Sequence, residues 1–107
     1  MDNDFIDNWH SQLRKGLLPL FALYILEQKA RYGYELVQEI KSVFRIEVAE
    51  GTLYPLLIRL MNDGLLTHKW VEQSSGIPRK YYSVTSLGKK TLKEMKASLS
   101  QFVSKIK

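Results

Sequence analysis

The segment Glu50-Gly51-Thr52-Leu53-Tyr54-Pro55-Leu56-Leu57-Ile58-Arg59-Leu60 decides how this chain is read. Leu53, Leu56, Leu57 and Leu60 recur at helical spacing, which predicts one buried face. The opposite face carries Thr52, Tyr54, Pro55 and Arg59 and, one turn on, Asn62. These groups donate hydrogen bonds, stack and meet phosphate. A short helix with a leucine back and a Thr/Tyr/Arg front suits insertion into a DNA groove. Its start is open. Ala49 offers no capping oxygen, and Pro55 is best tolerated in a first turn, so the regular helix is expected to begin later than Glu50.

Working outward, residues 34–43 read as a helix with Leu36, Ile40, Val43 and Phe44 inside and Glu35, Gln38, Glu39 and Lys41 outside. A connection over about residues 45–50 joins it to the decisive segment. Asn62-Asp63-Gly64 ends that segment, with Gly64 as a left-handed C-terminal residue. Two helices across a short turn, the second with a polar front, form a helix-turn-helix. Further upstream, residues 4–28 are helical in pattern. Ile6, Trp9, Leu13, Leu17 and Leu20 make a stripe, and residues 17–26 are apolar nearly all round, so they must be buried. Pro19 removes one amide donor and is expected to kink or split this helix. Residues 29–33 break it.

Downstream the period changes to two. Leu66, His68 and Trp70 alternate with Thr67, Lys69 and Val71, as in a half-buried strand. A polar turn over residues 73–78 leads to a second alternating run over residues 79–84. The pair predicts a basic, aromatic hairpin in which one of Tyr81 and Tyr82 packs inward and the other faces out. Thr85 is placed to cap a last helix. Along it Leu92, Met95, Leu99, Phe102 and Ile106 step by 3, 4, 3 and 4, a heptad seam. Lys89, Lys90, Lys93, Lys96 and Lys105 lie off that seam. The fold class is therefore mainly α with a small β-hairpin: a winged helix-turn-helix with a helix at each end.

Composition bounds the function. At 107 residues the chain forms one domain with one modest core. It has no cysteine, which excludes disulfides and thiolate metal sites and fits a reducing, cytoplasmic setting. The longest apolar run, residues 16–26, is too short to span a bilayer, and the acidic start Met1-Asp2-Asn3-Asp4 is unlike a signal peptide. The net charge of +5 is uneven: residues 1–64 hold 7 Lys/Arg and 9 Asp/Glu, and residues 65–107 hold 9 and 2. Balances of −2 and +7 point to a polyanionic partner for the second half. Catalysis has no support: His10 and His68 fall in different elements, and no nucleophile, phosphate-loop or metal-ligand motif is present. No cofactor is implied.

Tyr32-Gly33-Tyr34-Glu35-Leu36, the decisive segment through Leu57, Arg59-Leu60 and Gly64-Leu65-Leu66 together resemble the PadR family of bacterial winged-helix repressors. Trp70, Pro78-Arg79-Lys80-Tyr81-Tyr82, Val84-Thr85 and Gly88 continue the resemblance in the same order, over about residues 17–95. The single C-terminal helix resembles the smaller members. The resemblance implies a homodimeric regulator that binds a double-stranded operator, with a winged helix over about residues 17–85 and dimerisation helices at 4–28 and 86–107. It places Thr52 and Tyr54 at phosphate or base edges, Arg59 further along the same face, Arg79, Lys80 and Tyr81 on the wing, and Tyr34 where the DNA backbone passes. Ile6, Trp9, Leu13, Leu92, Met95, Leu99, Phe102 and Ile106 would pack between subunits. Some short relatives bind planar drugs there, which makes Trp9, Met95 and Phe102 candidates for a small aromatic or drug-like effector. However, Leu99 stands where an aromatic clamp would be expected.

Several residues admit two readings. Thr52 either caps its helix or faces DNA. Tyr54 either contacts DNA or packs half-buried. Arg79 and Lys80 either grip backbone or are solvated, and the two apolar stripes pack either between subunits or within one. Winged helices also serve as protein-interaction modules with no direct DNA readout. The basic second half argues against that alternative, because protein interfaces are depleted in lysine.

Overall fold

A computed structural model describes residues 3–107; Met1 and Asp2, part of the acidic start, lie outside the described residues. The order is α1 (Asp4–Gln28), β1 (Arg31–Tyr32), α2 (Gly33–Phe44), α3 (Glu50–Asn62), β2 (Leu66–Val71), β3 (Arg79–Val84) and α4 (Ser86–Ile106). The sheet has three antiparallel strands in the order β1-β3-β2. The hairpin was anticipated and β1 was not. Arg31 and Tyr32, expected only to break the first helix, pair with Tyr82 and Tyr81 on the free edge of β3.

Leu18, Ala22, Leu23, Ile25 and Leu26 of α1 are buried with Leu36 and Ile40 of α2, the four leucines of α3, Leu66, Tyr82 and Leu92. The apolar half of α1 is thus the central rod of the core, and Phe21 stacks on Phe44 with ring centroids 3.9 Å apart. That packing overrides Pro19, which lies inside one continuous 25-residue helix. The same happens in α3. It begins at Glu50 with Pro55 inside it and no side-chain cap at Ala49, so the later start expected from sequence does not occur. Burial of Leu53, Leu56, Leu57 and Leu60 outweighs the missing amide and cap.

The exit of α3 follows the sequence closely. Gly64 has φ +77°, its N–H donates to the Met61 carbonyl at 3.0 Å, and the Leu65 N–H donates to the Leu60 carbonyl at 2.9 Å. These two bonds form a Schellman motif. The α2 exit is less regular, because Arg45 takes the left-handed position with φ 59°. At the α2 entry, the Tyr32 N–H donates to the Glu35 carboxylate at 3.3 Å.

Two expectations about inner faces are corrected. Val43 is exposed, since the last turn of α2 passes beyond the core and only Phe44 reaches back to it. The strand β2 is buried at Leu66 and half-buried at Val71, and from Thr67 to Trp70 both its faces are exposed. The hairpin therefore leaves the body of the protein as a free wing. Leu92 is also corrected: at 1% exposure it belongs to the chain's own core, because the early turns of α4 lie against α1.

Candidate nucleic-acid interface

The arc of α3 opposite its leucines is centred on Gly51, Pro55, Ile58 and Asn62, all exposed. Ile58, at 53% exposure, was missed as a front residue, although a turn of 100° per residue from Leu53 locates it. Thr52 and Arg59 stand on one flank of the arc. They turn toward α1, where they line a hollow with Lys15, Leu18 and Pro19. Tyr54 stands on the other flank. Its ring lies over Gly33 so closely that a Cβ at residue 33 would overlap it. Tyr54 keeps 38% of its surface exposed, so it packs at its hydroxyl end and presents the rest outward. Burial pushes its phenol up from 10.0, and the Glu50 carboxylate adds to that shift. The proposed single front is thus three strips: the α1 flank, the outward arc and the α2 flank. Tyr34 adds an exposed ring on the first turn of α2.

The wing cations are held by aromatic rings. The Arg79 guanidinium lies 4.4 Å from the centre of the Tyr32 ring, and Tyr81 meets the same ring edge-on at 5.4 Å. Lys80 Nζ sits 5.9 Å from the Trp70 ring and 5.7 Å from the Tyr82 ring. Pairing of Trp70 with Lys80 and of His68 with Tyr82 puts these four residues on one face of the sheet, while Arg79 and Tyr81 share the other. Tyr82 is the inward tyrosine and Tyr81 the half-exposed one, as the alternation predicted. Cation–π contact orders both wing cations without neutralising them, so they keep their charge for a phosphate.

A helix-turn-helix with an exposed front between polar flanks, followed by a basic hairpin, is the architecture of winged-helix DNA-binding proteins. A profile of the PadR-like family of transcriptional regulators matches residues 22–94. The chain belongs to that family. An uncharacterized protein of Lysinibacillus sphaericus is 37% identical over 87 residues, 79% of this chain and 80% of its own length. Among solved structures, a PadR-like transcription factor from Bacteroides fragilis is 42% identical, with 92% of this chain and 95% of that one covered at a TM-score of 0.79. A PadR family transcriptional regulator from Eggerthella lenta is 34% identical, with coverage of 97% and 90% at a TM-score of 0.88. This PadR-like chain is thus a DNA-binding transcriptional regulator and not an enzyme.

In this PadR-like protein the terminal helices carry the remaining candidates. Ile6, Trp9 and Leu13 are exposed on the first half of α1, and Phe102 and Ile106 on the last turns of α4. Met95 packs partly on the core, and Leu99 is half-buried where α4 passes Leu20 of α1. The three effector candidates are therefore unlike each other: Met95 belongs partly to the core, whereas Trp9 and Phe102 are free at distant points of two helices. Among the described residues no three His, Asp or Glu side chains are grouped to hold a metal, and no helix is long and apolar enough to cross a membrane.

Proposed function

We propose that this protein is a homodimeric repressor that binds a two-fold symmetric operator in the cytoplasm. The observation that carries the reading is the division of α3 into a buried leucine face and an open front, set beside a wing whose Arg79 and Lys80 are ordered by aromatic rings and, among the described residues, form no ion pair. In this reading the outward arc of α3 enters the major groove. Thr52, Arg59 and Tyr54 meet its walls, and Tyr34, Arg79, Lys80 and Tyr81 hold backbone. Residues 17–85 form the winged helix, and the rest of α1 and α4 join the subunits through Ile6, Trp9, Leu13, Leu99, Phe102 and Ile106.

Equilibrium binding to the DNA upstream of the protein's own gene tests this, measured over a salt series. Specific binding with a steep negative salt slope supports the reading, and the double variant Arg79→Ala/Lys80→Ala should bind every sequence more weakly with a shallower slope. Salt-independent or absent binding would favour the protein-interaction module instead. The exposed Trp70 and Ile77 of the wing are what that second reading would use.

A small aromatic effector that releases the operator would contact Trp9 and Phe102 between subunits, with Met95 contributing only its outer edge. With 2 tryptophans in the chain, a Trp70→Phe variant leaves Trp9 as the sole reporter. Planar cationic dyes and phenolic acids that leave its fluorescence unchanged would exclude a pocket there.

A further inference from the structure

The charge balance of the sequence assigned cationic character to residues 65–107, yet three cations of the acidic half meet at one place in the fold. Arg14 and Lys15 of α1 and Arg59 of α3 line two adjoining hollows of about 260 and 370 Å³ between these helices. The hollows share Lys15, Leu18 and Thr52. All three cations are exposed, and among the described residues the ion pairs lie elsewhere, at Arg31–Glu39 and Lys41–Glu47. Glu47 also lines the first hollow, but Lys41 engages its carboxylate at 3.1 Å. Ala49 lines the same hollow and supplies no side-chain cap, and its carbonyl takes the Thr52 N–H at 3.0 Å. Three exposed cations along one flank, with no carboxylate bound to them among the described residues, select an anion.

A helix seated in the major groove lies between two phosphate strands. One flank of α3 faces Gly33 and the α2 entry. The other flank is the α1 side, where this cluster stands. We propose that Arg14 and Lys15 of α1, together with Arg59, grip the phosphate strand on that second flank, which makes the central stretch of α1 a DNA-backbone contact. The inference rests on the reading of the protein as a DNA-binding regulator and adds a contact surface to it.

The test uses duplexes that the full-length wild-type protein selects from a random-sequence pool. Arg14→Ala/Lys15→Ala should weaken binding at least about tenfold and flatten the salt slope by about 3.6, the value for four phosphates lost per two-fold dimer. Lys89→Ala/Lys93→Ala removes equal charge from α4 and should leave the slope unchanged. If Arg14→Ala/Lys15→Ala keeps the wild-type slope and affinity, or the α4 variant loses as much, the inference is overturned. Should the variant not fold, the wild type still decides. Bound duplex should slow acetylation of Lys15 severalfold by mass spectrometry, and an unchanged Lys15 rate overturns the proposal. A wild type that selects no duplex at all sinks the DNA-binding reading itself, whereas wild-type binding with an indifferent Arg14→Ala/Lys15→Ala sinks only this contact.

Discussion

Gly33 and Tyr54 compete for one volume. A Cβ built on Gly33 falls 2.7 Å or less from three atoms of the Tyr54 ring end, so Gly33→Ala forces the ring away from the entry of α2. Overpacking of this kind costs about 1–3 kcal/mol. The same substitution in a Tyr54→Ala background should cost nothing, since alanine is otherwise the better helix former. A double-mutant cycle by urea denaturation measures this, and a cost that persists without the ring would place the strain elsewhere. The same tyrosine gives a pH signature. Burial, then Glu50, raises Tyr54, and burial, then Tyr54, raises Tyr82. A raised phenol favours the folded state up to the ordinary value of 10.0, and that stability is lost as pH rises through the folded value. The urea midpoint should therefore be insensitive to these groups through neutral pH and fall above about 10, less so in Tyr54→Phe. A midpoint that falls equally in both proteins would remove Tyr54 from the account.

At the scale of elements, the helix-turn-helix and the wing are joined through Thr85. Its hydroxyl accepts from the Gly88 N–H at 3.0 Å and donates to the Gly64 carbonyl at 2.6 Å, while its N–H donates to the Leu65 carbonyl at 3.1 Å. The exit of α3 and the entrance of α4 thus share one side chain. Thr85→Ala should cost about 1–2 kcal/mol and Thr85→Ser much less; thermal unfolding compares them, and equal loss in both would assign the effect to the methyl group. Thr85 was readable as a cap because capping chemistry is local. The bounds of α1 and the exit of α3 were readable for a similar reason, since their signals are intrinsic to the segment, whereas Ala49 and Pro55 pointed to a later start of α3 than the one its buried leucines impose. Strand β1 was not readable: two residues have no period, and Arg31–Tyr32 become a strand only when β3 offers an edge. Nor could the sequence separate the strips on α3. Thr52 and Arg59 look like front residues until α1, distant in sequence, is seen beside them. Leu92 fails the same way, because a heptad seam and an amphipathic core stripe share one spacing.

As a whole the molecule measures 52 × 34 × 22 Å, and its radius of gyration of 15.5 Å exceeds the roughly 13 Å of a compact chain this long. The excess lies largely in α1. From Asp4 to Gly16 every residue but Ser11 is exposed, a rod of about 20 Å that carries Phe5, Ile6, Trp9 and Leu13 in solvent. Phe102, Val103 and Ile106 do the same at the end of α4. In the proposed dimer this apolar surface would form the interface, and burial of one such ring would stabilise association by about 1.5–3 kcal/mol per copy. Phe102 is the sharpest probe of it. Leu99→Lys would disturb both an interface and the chain's own packing, because Leu99 is half-buried beside Leu20. Phe102 is 72% exposed, so a lysine there costs the single subunit almost nothing. Phe102→Lys should therefore keep the helical circular dichroism of the wild type yet shift the mass by light scattering from dimer to the 12.5 kDa monomer. In a two-fold dimer the substitution acts twice, so the shift should be complete at micromolar concentration. A variant that remains dimeric would move the interface off α4 and leave the exposed half of α1 to carry it alone.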